Sequence, residues 1–160
     1  MSETTPLPER SRIVREHMEA AGIAAEIRVL PDSARTAAEA AAAIGCEIGA
    51  IANSLVFLAD DEPILVMTSG GHRASLSVLA ENVGAVQVEM APASVVRDAT
   101  GQAIGGVAPV GHPAPLRTFI DEDLADFEEI WAAAGHPHTV MPLTFAVLRE
   151  LTGGQVIAVA

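Results

Sequence analysis

The apolar positions of this chain fall into two kinds of pattern. Ile51-Ala52-Asn53-Ser54-Leu55-Val56-Phe57-Leu58 and Ile64-Leu65-Val66-Met67-Thr68 are nearly continuous apolar runs, separated by Asp60-Asp61-Glu62. Runs of this length without a helical period read as strands buried on both faces, and the acidic turn between them predicts a hairpin. Elsewhere the apolar residues recur at helical spacing. Pro8 to Ala21 is predicted as a helix, with Ile13/His17 and Val14/Met18 on one stripe and Gly22 as its stop. Thr36-Ala37-Ala38-Glu39 is a capping box, and the alanine-rich helix behind it should end at Gly45. Ser75 to Val83, closed by Gly84, and Pro92 to Ala99 are two more helices, and a last one is expected from Pro142 to near Gly153.

Shorter segments supply the remaining strands: Ala25 to Leu30, Val86 to Glu89, Leu116 to Ile120, Phe127 to Ala133, Thr139 to Met141 and Gln155 to Val159. Asp121 to Asp126 reads as an acidic turn or short helix. No repeat, low-complexity tract or linker divides the series, so residues 1–160 are expected to form a single domain. Strand–helix alternation mixed with hairpins points to an α/β fold around a mixed sheet, open or closed.

One stretch fits neither pattern. Thr100 to His112 holds Gly101, Gly105, Gly106, Gly111, Pro109 and His112, with single apolar residues threaded between them. Glycine permits positive φ and close approach to the main chain, while proline fixes the exit from the turn. Such a loop either joins two strands tightly or presents backbone groups to a ligand.

Composition removes several functions. The net charge is −12, and all nine basic residues are arginine. An acidic chain has no general attraction to a phosphate backbone, so DNA binding is not expected and any nucleic-acid contact must be local. A single cysteine, Cys46, cannot form an internal disulfide and reads as a small buried hydrophobe. With no signal-like N-terminus and no apolar run long enough to span a bilayer, the expected location is cytoplasmic, away from membranes.

Conventional catalytic sets are missing. His136-Pro137-His138 is the one closely spaced histidine pair, but no third ligand stands at a diagnostic distance in sequence, so no metal site is expected. Ser69 and Ser75 flank His72 without a nucleophile-elbow motif. The acidic clusters Asp60-Asp61-Glu62 and Asp121-Glu122-Asp123 read as solvated turns. The glycine loop matches no dinucleotide or P-loop fingerprint, and no cofactor is expected.

Three stretches at their spacing resemble the YbaK/ProX aminoacyl-tRNA deacylase family, which includes the editing domain of bacterial prolyl-tRNA synthetases. They are Ile51 to Phe57; Thr100-Gly101 through Gly105-Gly106-Val107-Ala108-Pro109-Val110-Gly111, with its Gly-x-x-x-Pro motif at Gly105 to Pro109; and Phe119-Ile120-Asp121 followed by Ala134-Gly135 and the helix Leu143 to Leu151. The resemblance covers most of the chain and implies a mixed, partly barrel-like β-sheet surrounded by helices. It implies hydrolysis of the ester that joins a mischarged amino acid to a tRNA 3′ end, in a chain of this length as a free-standing protein acting in trans. In that family main-chain groups of the glycine loop and hydroxyls of the terminal adenosine position the reacting groups. By position, Gly105, Gly106 and Val107 would supply them here, with Pro109 shaping the loop.

Asn53 stands where many members carry lysine, so a neutral amide replaces a fixed charge, which implies either a different substrate or a weak or lost activity. Ile51, Leu55 and Met67 are expected to shape the pocket. Thr68, Ser69, Gly70, His72 and Arg73 would flank it after the second hairpin strand, and His112 and His136 would flank it from the loops, with Arg73 as a phosphate contact. The implied partners are the acceptor end of an aminoacyl-tRNA and a synthetase or elongation factor that delivers it. The rival expectation is a non-catalytic module that kept the fold and binds an aminoacyl or nucleotide ligand, or a protein.

Overall fold

The computed structural model describes residues 7–31, 34 and 36–160. Its centre is the predicted hairpin: β2 (Ile51–Ala59) and β3 (Glu62–Ser69) pair antiparallel from Ala52↔Ser69 to Ala59↔Glu62. The turn places Asp60 and Asp61 at φ +48° and +69°. Asp60 is held there by its carboxylate, which accepts from the N–H groups of Val86 and Gln87 and is thereby kept below the usual carboxylate range. Ile64 to Ser69 is buried throughout, as the unbroken apolar run requires. The middle of β2 is not: Asn53, Ser54 and Leu55 are only half-buried.

Around the hairpin the chain adds β1 (Arg28–Val29), β4 (Val88–Met90), β5 (Thr118–Asp121), β6 (Ile130–Ala133), β7 (Thr139–Leu143) and β8 (Gln155–Ile157). The eight strands form one mixed sheet in the order β1-β7-β6-β2-β3-β5-β8, with β4 on β2. Strand β2 is parallel to β6 through Ile51↔Trp131 and Ala52↔Ala132, and antiparallel to β4 through Phe57↔Met90 to Ala59↔Val88. Both neighbours therefore share one edge of β2.

Among the described residues five α-helices cover the sheet: α1 (Glu9–Ala20), α2 (Ala37–Ile44), α3 (Leu76–Val83), α4 (Ala93–Thr100) and α5 (Phe145–Thr152). Their ends follow local rules. Thr36 and Glu39 form the reciprocal capping box of α2, Ser75 and Thr144 cap α3 and α5, and Gly45, Gly84, Gly101 and Gly153 close helices in the left-handed conformation. The sheet packs as two faces. On one, Val14 and Met18 of α1, Val96 of α4 and Leu148 of α5 meet Ala52, Val56, Leu65 and Met67. On the other, α3 covers Phe57, Ile64, Val66 and Phe119, while α2 covers Ile51, Trp131 and Val140.

Several boundaries differ from expectation. Pro142 lies inside β7, paired with Trp131, and the helix begins only at Phe145. The expected strand at Phe127 to Ala133 starts at Ile130, and the strand at Ala25 to Leu30 shrinks to Arg28–Val29. Asp121 is not a solvated turn residue but is fully buried.

Candidate active site

Between its bridges to β6 and β4, β2 has an edge with no strand beside it among the described residues. Gly70 N–H donates to Ile51 C=O on the β3 side, and Ala91 N–H donates to Val56 C=O on the other. Main-chain groups alternate along a strand, so the N–H and C=O of Ser54 turn toward the opening. A cavity of about 240 Å³ occupies this gap. Ala52, Val56, Ala91, Val96 and Val107 line it from the α1/α4 face, and Leu30, Ala37, Ala40, Ile51, Trp131 and Val140 from the α2 face. Met90 and Ile104, 59% and 58% exposed, stand on its rim.

No charged side chain lines this cavity among the described residues; its polar lining is Thr36, Asn53, Ser54 and Thr139. Thr139 is already committed to Ser11 and to His136 C=O, and Ser54 Oγ reaches Met67 Sδ at 3.2 Å. Asn53 pairs in register with Thr68, so both side chains share a sheet face. The buried Thr68 Oγ1 has no hydrogen-bond partner among the described residues.

The glycine loop enters the cavity from the opposite side. Gly106 N–H donates to Ala103 C=O at 2.9 Å, closing a turn that puts Ile104 and Gly105 on the wall. Gly105 has φ +87°, a region that penalises any side chain. Gly106 lies so close to the His136–Pro137 main chain that a Cβ there would sit 2.6 Å from the His136 carbonyl carbon. Two glycines are thus needed for different reasons, one for its dihedral and one for close approach.

Residues 31–151 match the profile of the aminoacyl-tRNA editing domain. The chain belongs to that family, as a YbaK-like editing domain. A solved structure of a proposed trans-editing enzyme for prolyl-tRNA synthetase superposes with a TM-score of 0.90 and 41% identity, over 96% of this chain and 98% of that one. Protein YwhH of Bacillus subtilis is 26% identical over 124 residues, 78% of this chain and 79% of that protein. A proline–tRNA ligase of Leuconostoc mesenteroides is 31% identical over 84 residues, 52% of this chain but only 15% of the ligase. This chain therefore corresponds to a segment of the ligase.

Within this editing domain, Ile51, Asn53, Leu55, Gly105 and Val107 line the same cavity, and Gly106 packs against the His136–Pro137 main chain. Met67, Thr68, Ser69, Gly70, His72, Arg73, Pro109, His112 and His136 do not line it. Ser69 ends β3 and His72 and Arg73 lie past it, where His72 Nε2 stands 2.5 Å from Oδ2 of buried Asp121. The same carboxylate accepts from Ser69 N–H at 2.9 Å and from Asp123 N–H at 2.9 Å. His72, Asp121 and Asp123 bring potential metal-ligand atoms within 4.8 Å of one another. The hydrogen bonds already made to Asp121 instead tie the ends of β3 and β5 together.

Ser69 Oγ donates to Gly49 C=O and Ser75 caps α3, so neither hydroxyl is aimed at His72. His112 is bound to the loop through Ala108 C=O at 2.8 Å, and burial lowers its pKa from the ordinary value. His136 Nδ1 accepts from His138 N–H. Cys46 is half-buried rather than fully buried, and burial pushes its thiol up. Arg28 stacks over cavity-wall Trp131 at 4.7 Å, and Arg117 over Phe119 at 4.9 Å. Sequence reasoning missed the Ser54 main chain because its exposure depends on which strands flank β2. No helix among the described residues is long and apolar enough to cross a membrane.

Proposed function

We propose that this protein hydrolyses the ester of mischarged aminoacyl-tRNA, acting in trans in the cytoplasm. The observation that carries the reading is the cavity itself: the glycine loop, the open β2 edge at Ser54 and the Asn53 amide meet on one largely apolar space. An aminoacyl ester is already activated, so its cleavage needs a positioned water and donors for the developing oxyanion more than a strong acid or base. The acyl side chain fits the apolar wall of α2, Ile51 and Val140, with its carbonyl at the sheet opening. Water attacks the carbonyl carbon, the main-chain N–H groups of Ser54, Gly105 and Val107 take the oxyanion while that of Gly106 holds the turn, and the ribose hydroxyl leaves with a proton. Asn53 orients the water or the substrate amine. Met90 and Ile104 offer apolar contact to the terminal base, and Arg28 beside Trp131 offers a charge for a nearby phosphate.

One observation favours the non-catalytic alternative: among the described residues lining the cavity, none can act as an ionisable acid or base. A deacylation assay of the purified protein against tRNAs charged with different small amino acids separates the two. Cleavage of at least one ester well above the no-enzyme rate supports hydrolysis. Uniform background rates, with analogue binding retained, leave only the binding module.

A further inference from the structure

The chain just after the turn that carries Gly105 pairs with no strand among the described residues, yet it is buried: Val107 is 1% and Ala108 0% exposed. Main chain buried without a ladder needs other partners for its N–H and C=O groups. Gln102 supplies them. Its side chain is buried; Oε1 accepts from Ala108 N–H at 2.6 Å and Nε2 donates to Val110 C=O at 3.1 Å. One amide thus grips the loop at both ends of Pro109. Gln102 is itself tied to α4: Gly101 ends that helix at φ +72°, and Gln102 N–H donates to Thr100 Oγ1 at 3.0 Å, which lies 2.6 Å from Val96 C=O. His112 Nε2 takes the remaining Ala108 C=O. Gly111 leaves the room, since a Cβ there would lie 3.1 Å from Gln102 Nε2.

We propose that Gln102 is a positioning residue for the hydrolysis, whose amide holds the Gly105–Val107 main chain at the cavity so that its loss lowers turnover rather than substrate binding. This rests on the hydrolytic reading above.

Two variants test it. Gln102→Met keeps the length and apolar bulk but makes neither hydrogen bond; kcat should fall about tenfold, with KM within about twofold. In Gln102→Glu the protonated carboxyl can make both bonds, accepting from Ala108 N–H and donating to Val110 C=O, whereas the ionised form cannot donate. Its kcat relative to wild type at the same pH should therefore recover as pH is lowered, with KM unchanged. Taking the ratio at each pH removes the titration of His112, which contacts Ala108, as far as it is common to both proteins. Amide hydrogen exchange gives a readout independent of activity, and in the wild type it needs no variant to fold. Ala108 N–H should be protected in wild type and exchange at least about a hundredfold faster in Gln102→Met, with β3 amides unchanged.

Fast exchange of Ala108 in wild type would show that the brace is absent. Protection lost with kcat intact, or a loss confined to KM, would overturn the positioning role. If wild type cleaves no mischarged tRNA, the functional reading and the positioning role fall together, while the exchange data still report whether Gln102 braces the loop.

Discussion

Asn53 is the cavity-lining side chain with the most freedom to act on a substrate, since Ser54 and Thr139 already have partners. Its register neighbour Thr68 keeps a buried hydroxyl without a partner among the described residues. If the amide orients the water or the amine, Asn53→Ala should lower kcat/KM by about two- to tenfold, the range of one neutral hydrogen bond of ~0.5–1.5 kcal/mol. Asn53→Lys should raise kcat by about tenfold, because a hydrogen bond from a charged donor to the oxyanion is worth ~1.5–3 kcal/mol. Steady-state deacylation kinetics check both. His112 gives a pH signature. Burial lowers its folded-state pKa below the ordinary 6.5, so the unfolded chain binds the extra proton first as pH falls. Stability from this residue is therefore present above pH 6.5 and is lost as pH drops below it. Thermal melts at pH 7.5 and 5.0 should differ less for His112→Asn than for wild type.

The same reasoning at the level of elements separates two adjacent aspartates. Asp60 and Asp61 both sit at positive φ, but the Asp60 carboxylate is engaged by the N–H groups of Val86 and Gln87. Asp61→Gly should relieve backbone strain and stabilise the hairpin by a few tenths to about 1 kcal/mol. Asp60→Gly should destabilise it by unfastening β4. Chemical denaturation resolves the two signs. Elements with local instructions were legible in sequence: the Thr36/Glu39 box, the Ser75 cap and the glycine stops gave α2 and α3 to within a residue. Pro142 misled because its partner is distant. Alternation from the Ala134 N–H to Thr139 C=O bond turns residue 142 toward the β1 edge, and two-residue β1 ends at Val140, so no ladder bond is asked of the proline. Asp121 misled for the same reason, since the groups that satisfy it come from β3 and the segment after it.

For the molecule as a whole, family and fold were legible because the glycine loop and the β2 segment carry their patterns in contiguous residues. The cavity was legible only in part: Asn53 and Gly105 are 52 positions apart and meet through the sheet, while Gln102, Ser54 and Trp131 join them only through long-range packing. A chain of net charge −12, with no charged side chain among the described residues that line its cavity, should gain little from long-range attraction to tRNA. KM for a whole tRNA should thus lie within a few-fold of that for an acceptor-stem fragment, and should change little between low and moderate salt.

If the ester is cleaved in the gap between β2 and the glycine loop, a larger side chain at Ala40 must obstruct it. Ala40 lines the α2 wall away from every hydrogen bond assigned to catalysis, and leucine suits a helix. Single-turnover deacylation of the preferred mischarged tRNA should slow by more than about tenfold in Ala40→Leu, with the melting temperature held, because the added carbons occupy the acyl space. An unchanged rate in a folded Ala40→Leu variant would contradict the account and place the chemistry elsewhere.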